Sequence, residues 1–270
     1  MVFEEKALTE HIGSQISLDR SRLNDPTLGK ALRERLVERG VLWFREFHAR
    51  PEEQVALAQS LGRLREEGEN GIFKITLSKS ARTSADYLKG SFLWHMDGTH
   101  DDTPIFASLL TGIQLSDEGG QTEFANAYAA YEALTQDMKD RIADLRVVHS
   151  VETSMRRAGV DPTPENLAVW RRIPDRTHRL VWTHRVGRKS LVIGCHAKSV
   201  VGMDAIASER LLEELLSWTT QSRFVYRHEW RLGDMLIWDN TGVLHRAEPY
   251  PENSGRLMHR TTLLGEESFA

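Results

Sequence analysis

Apolar residues recur along this chain with two different periods, and the place where one gives way to the other divides it. From Leu28 to Arg39 they fall at helical spacing behind Asp25-Pro26-Thr27, and Pro51 opens a second amphipathic stretch from Glu52 to Leu61. Between them Val41-Leu42-Trp43-Phe44 reads as a short strand, so the first sixty residues are expected to be largely helical. Beyond residue 65, short apolar runs bounded by turn residues take over. They predict strands over 72–77, 106–111, 146–151, 180–184, 191–194, 224–229, 235–238 and 257–264. Two further helices are expected, over Ala127–Leu145 and over Asp204–Thr220, where Leu211, Leu212, Leu215 and Leu216 share a face. Many short strands beside few helices predict a mainly β, α+β chain whose sheets form an antiparallel sandwich or barrel. The stretch from Met155 to His178, rich in Arg and Pro, has weak periodicity and is expected to be a long loop, either a lid or a solvated insertion.

Composition narrows the function more than the fold. The 270 residues are 40% apolar and 27% charged, which suits an ordinary folded domain, and one domain over 1–270 is expected. A formal charge of −4 with Lys and Arg scattered gives no basic stripe, so nucleic acid is not an expected partner. No apolar run reaches eighteen residues, and the N-terminal residues lack the basic and then apolar regions of a secretory signal. A cytoplasmic location without membrane association is expected. Cys195 is the only cysteine, which leaves no internal disulfide or multi-cysteine metal site. It follows the apolar run Leu191-Val192-Ile193-Gly194 and reads as a small buried residue. Any metal must therefore be held by His and carboxylate.

One segment, Trp94-His95-Met96-Asp97, contains a His-x-Asp pair, and on a strand residues two apart project to one face. Such a pair is common by chance. The run Gly233-Asp234-Met235-Leu236-Ile237-Trp238-Asp239-Asn240 adds weight, because it leads through a polar turn to His245 as a possible third ligand. Two His and one carboxylate form the facial set of non-haem Fe(II) oxygenases, which leaves positions for a 2-oxo acid and dioxygen. Arg256 could anchor the far carboxylate of that acid with its planar fork, and Arg260, at even spacing, would share its strand face. In isolation the favoured reading is that one or both arginines make surface ion pairs.

Taken together, Trp94-His95-Met96-Asp97, Gly119-Gly120-Gln121-Thr122, the 233–240 run with His245, and Arg256-Leu257-Met258-His259-Arg260-Thr261 resemble the taurine dioxygenase and 2,4-dichlorophenoxyacetate dioxygenase superfamily. The resemblance runs from about Val41 to Leu264. It implies a double-stranded β-helix, or jelly-roll, core on which the helices of residues 1–65 pack. It implies a dioxygenase dependent on Fe(II), 2-oxoglutarate and O2 that hydroxylates an unactivated C–H bond of a small organic substrate and releases succinate and CO2. His95, Asp97 and His245 would be the metal ligands, Thr122 and Arg256 the 2-oxoglutarate tail site, and Arg260 a neighbour of co-substrate or substrate. Homodimers or homotetramers are usual in that family. Where its members often carry Asn, this chain has Ser91, which weakens the case for a substrate contact there. The acidic ligand Asp97 is present, unlike in relatives that halogenate.

Tyr87, Phe92 and His100 flank the metal segment as possible pocket residues, whereas Trp94 and Trp238 read as packing and Asn240 as a brace for the turn before His245. The remaining His184, His196, His228 and His259 have no partner at ligand spacing and read as structural. Two other classes compete with an oxygenase: a cupin-like hydrolase or isomerase with another metal, and a non-catalytic jelly-roll binding protein. The Thr122 segment and the paired arginines discriminate against the first, and the complete ligand set against the second.

Overall fold

The computed structural model describes residues 2–77 and 89–269. In chain order the N-terminal part forms β1 (Glu4–Ala7), β2 (Ser14–Ser17), α1 (Leu28–Arg39), β3 (Val41–Phe44), α2 (Pro51–Leu61) and β4 (Phe73–Ile75). The centre forms β5 (Ala107–Gln114), β6 (Thr122–Asn126), α3 (Ala127–Glu132), α4 (Gln136–Ile142), β7 (Arg146–His149), α5 (Val151–Arg157) and α6 (Pro164–Trp170). Then follow β8 (Arg176–Arg179), β9 (Val181–Thr183), β10 (Lys189–Leu191), β11 (Ala197–Val200) and α7 (Ala205–Thr219). The last strands are β12 (Val225–His228), β13 (Met235–Asp239), β14 (Val243–Ala247) and β15 (Leu257–Leu263).

The mixture of sheet and helix is as expected, and its layers follow from side-chain alternation. Seven strands form one sheet in the order β1-β2-β3-β13-β5-β15-β4, and β12-β6-β14 form a second. Along β3 and β13, Leu42, Phe44, Met235 and Ile237 face α1 and α2, where Leu28, Leu32, Leu36, Leu57 and Leu61 cover them. The alternate residues Val41, Leu236 and Trp238 face the second sheet and meet Phe124 of β6 and Val243 of β14. Most of these side chains are fully buried, and each contributes roughly 1.5–3 kcal/mol relative to an exposed one. The outer face of the second sheet, with Ala125 and Leu244, packs on a third layer built from β9–β11 and the leucines of α7. His245 shares the face of Val243 and so points between the first two sheets.

Several expectations need correction. The chain does not open with helix alone: β1 and β2 form an antiparallel hairpin, and β2 runs parallel to β3. The helix expected over Ala127–Leu145 is two, because Thr135 caps the second through Met138 N and diverts the chain between them. Much of Met155–His178 is ordered rather than looped. Ser150 and Thr163 cap α5 and α6, Pro164 occupies the first turn of α6, and β8 pairs with β7. Charge masked the helical signal there, since Glu152 pairs with both Arg156 and Arg171. Among the described residues no helix is long and apolar enough to cross a membrane.

Candidate metal centre

Two segments distant in sequence are joined by their peptide groups. His95 N donates to His245 O at 3.0 Å and His245 N to His95 O at 2.9 Å, a single antiparallel rung that sets the two imidazoles beside each other with ring centroids 4.1 Å apart. Asp97 follows His95 in a turn, not on a strand as the spacing had suggested, and Gly98 continues that turn at φ +84°. The turn still brings the carboxylate round: Oδ1 lies 3.6 Å from His95 Nε2 and Oδ2 lies 3.6 Å from His245 Nε2. All three ligand atoms fall within 4.8 Å of one another, and no other such group occurs among the described residues.

The protonation states suit a cation. Leu93 O can only accept, so the 2.7 Å contact places the proton of His95 on Nδ1 and leaves the Nε2 lone pair facing Asp97. Burial, reinforced by the neighbouring His95, holds His245 neutral, with its pKa down at about 3. Burial alone would raise the Asp97 carboxyl, but the surrounding His245, His95 and Arg260 outweigh it and hold it at about 2. Two imidazole nitrogens and one carboxylate fit a divalent transition metal, iron(II) among them. His245 Nδ1 is buried with no hydrogen-bond partner among the described residues, and that ring packs against Trp238, with centroids 4.9 Å apart.

The turn before His245 is braced as the sequence suggested. Trp238 Nε1 donates to Asn240 Oδ1 at 2.8 Å, Asn240 Nδ2 to Ser108 Oγ at 3.0 Å, and Asn240 N to Phe106 O at 2.8 Å. Asp239 accepts from Thr241 N and Oγ1 and from the Tyr128 hydroxyl, while burial pushes its carboxyl up to about 6.

Arg256 is 4% exposed. Its Nη2 donates to Gly120 O at 3.1 Å and its guanidinium lies over the Tyr250 ring at 4.6 Å, and no carboxylate of the described residues contacts it. Burial lowers its pKa, against the influence of Tyr250. Gly120, at φ +79°, leaves room for this arginine: a Cβ there would stand 2.9 Å from Arg256 Nε. Thr122 is also buried, and its hydroxyl accepts from Trp230 Nε1 at 3.0 Å, which leaves its own proton to donate. Arg260 contacts Glu67 and acts electrostatically on Asp97 and His245. The surface-pair reading thus fails for Arg256 and holds in part for Arg260.

Ser91 is half-buried in a short helical turn, Gly90–Phe92, and Tyr87 lies outside the described residues. Trp238 is core, whereas Trp94 is half-buried beneath the Arg246 guanidinium at 4.7 Å. Cys195 is buried, which pushes its thiol up to about 12 and makes it a poor nucleophile. His184 bridges Glu267 and Ser190, and His228 sits 3.1 Å from Asp234, both structural roles. His196, by contrast, packs near His95, with centroids 6.4 Å apart. Sequence reasoning missed Trp230 and Tyr250, which carry no motif, and Glu67, one of several acids in a charged run.

Residues 4–262 match the family described as "Taurine catabolism dioxygenase TauD, TfdA family". The chain is 34% identical over 257 residues to an alpha-ketoglutarate-dependent 2,4-dichlorophenoxyacetate dioxygenase of Cupriavidus pinatubonensis, covering 86% of this chain and 88% of that protein. It is 32% identical over 242 residues to an (S)-phenoxypropionate/alpha-ketoglutarate-dioxygenase of Sphingobium herbicidovorans, covering 85% and 84%. The crystal structure of AAD-2 in complex with Mn(II) and N-oxalylglycine superimposes with a TM-score of 0.85 at 31% identity over 100% of both chains. A match of this extent, over a fold that assembles the His95, Asp97 and His245 set, establishes that the chain belongs to the TauD, TfdA family.

Proposed function

We propose that this chain is an Fe(II)- and 2-oxoglutarate-dependent dioxygenase that oxidises a C–H bond of a small organic molecule, with His95, Asp97 and His245 as its metal ligands. The observation that carries the reading is a three-donor metal set in one fold with Arg256, a buried cation that has no carboxylate partner among the described residues. We take the two facing sheets to be the jelly-roll core, and residues 1–270 to be one domain with α1 and α2 packed on it.

When bound, iron(II), 2-oxoglutarate and dioxygen together supply oxidative decarboxylation to succinate and CO2 and the oxidation of the substrate. The residues of the chain do the rest. His95 and His245 offer Nε2 lone pairs, and the Asp97 carboxylate offsets part of the cation's charge. Arg256 pairs with the far carboxylate of 2-oxoglutarate, and Thr122 donates its hydroxyl proton to the same group. The His95–His245 rung and the Asn240 brace keep the ligand positions fixed before anything binds.

A hydrolase has no use for a dicarboxylate cradle, and a binding protein has no need of three metal ligands, so neither rival accounts for the arrangement. Anaerobic addition of Fe(II) and 2-oxoglutarate should produce a visible metal-to-ligand charge-transfer band, and aerobic turnover should release succinate. Absence of both from folded, iron-replete protein refutes the reading.

A further inference from the structure

Arg260 is the guanidinium whose charge reaches both Asp97 and His245, so a substrate held near the metal meets its field. The two relatives described above are named for aryloxy acids, and a cation at this position is the natural anchor for such an anion. In this chain the place is already taken. Nη2 of Arg260 lies 3.4 Å from Glu67 Oε2, and the hydroxyl of Thr262 donates to Glu67 Oε1. Arg260 and Thr262 are two apart on β15 and share a face, so one carboxylate bridges neighbouring side chains.

Glu67 is not a loose surface acid. Its side chain is 17% exposed, and the backbone on either side is tied down. Arg65 N donates to Thr262 O at 2.9 Å and Leu264 N to Arg63 O at 2.8 Å, which holds the preceding residues against β15. Glu69 and Ile72 exchange two hydrogen bonds that close the turn after it. The Arg260 guanidinium is further covered by the Phe73 ring at 5.0 Å, while its Nε is buried with no hydrogen-bond partner among the described residues.

We propose that Glu67 is a specificity-determining residue, a built-in counter-ion that neutralises Arg260, so that the end of the substrate meeting this arginine is an uncharged oxygen acceptor rather than a carboxylate or sulfonate. A second anion at the same guanidinium would face the Glu67 charge at close range in a poorly solvated site, which disfavours it. A neutral carbonyl, ether or hydroxyl oxygen meets no such repulsion and can accept from a guanidinium N–H that Glu67 leaves unused. The inference rests on the dioxygenase reading for the identity of the site. It concerns only the charge of what binds there.

The test uses matched acids and their amides, phenoxyacetate with phenoxyacetamide and a panel of alkyl and aryl acids and sulfonates with theirs. Each is titrated calorimetrically into the metal-free full-length chain and, separately, into the Fe(II)–2-oxoglutarate complex, where substrate shifts the charge-transfer band. Wild type should favour the amide of each pair that binds. E67Q should raise affinity for the acids about 100-fold relative to their amides, about 2.7 kcal/mol, and E67D should keep the wild-type preference. A purely structural Glu67 would move acid and amide together. The proposal is overturned if wild type binds any acid in preference to its amide, or if no acid gains in E67Q. Absence of the band in wild type would count against the dioxygenase reading alone, because the metal-free titrations still decide the role of Glu67.

Discussion

Replacing Arg256 with Met separates what this residue does for the fold from what it does for a ligand. Among the described residues the guanidinium donates to Gly120 O and lies against Tyr250. Losing them costs about 1.5–3 kcal/mol for a charge-assisted hydrogen bond and about 0.5–2 kcal/mol for the cation–π contact. Against that stands the desolvation of a guanidinium only 4% exposed, a penalty of several kcal/mol that methionine avoids while filling much the same volume. The opposing terms nearly cancel, so R256M should melt within a few degrees of wild type when metal and ligand are absent. Its response to 2-oxoglutarate should collapse. A ligand at a hundred times its Kd stabilises the folded state by about 2.7 kcal/mol, which for a chain of this size raises Tm by roughly 5 °C. Removing the buried partner of a bound carboxylate costs roughly 2–5 kcal/mol, enough to erase that shift. Differential scanning fluorimetry of wild type and R256M, with and without 2-oxoglutarate under anaerobic Fe(II), reads both quantities. A variant that unfolds many degrees earlier but keeps the full ligand shift would refute the reasoning, since Arg256 would then be structural.

Three further outcomes follow from the same geometry. D97A and H245A should each abolish iron-dependent succinate release while remaining folded by circular dichroism, and full turnover in either would remove that residue from the ligand set. G120A places a methyl group against Arg256 Nε, so it should weaken 2-oxoglutarate binding tenfold or more, read from the charge-transfer titration, with an added backbone cost of about 1–3 kcal/mol. Asp239 titrates at about 6 when folded against about 3.9 unfolded, so the folded state binds its proton more tightly. That contribution is present below about pH 4 and is lost as pH rises through 6, on the order of 2–3 kcal/mol. Urea unfolding should therefore show D239N gaining on wild type between pH 4 and pH 7, and an equal difference at both pH values would contradict the burial argument.

The parts of this molecule that a reader of the sequence can find are those where one local pattern carries the information. Helices α1 and α7 and strand β13 were legible because each keeps an unbroken apolar period. So was the metal set, because His-x-Asp, the strand before His245 and the arginine pair are each short motifs whose chemistry needs the others. Strands β6 and β14 were not, since each mixes charged with apolar positions. The pairing of Glu67 with Arg260 was invisible for a different reason. In the run Arg65-Glu66-Glu67-Gly68-Glu69 nothing distinguishes one acid from its neighbours until the chain is laid against β15. The spacing argument expected His95 and Asp97 to lie together on a strand, and they lie together on a turn instead, because a turn can bring residues two apart to one side as a strand does.

The two peptide hydrogen bonds that join residue 95 to residue 245 belong to the main chain, which every amino acid except proline supplies in full. Mutation of surrounding side chains can therefore reshape the cavity without altering the separation of the two imidazole-bearing backbones. Chemical machinery and molecular selectivity are in this way mounted on different parts of the polypeptide, and a descendant could acquire a new diet while inheriting its reactive centre intact.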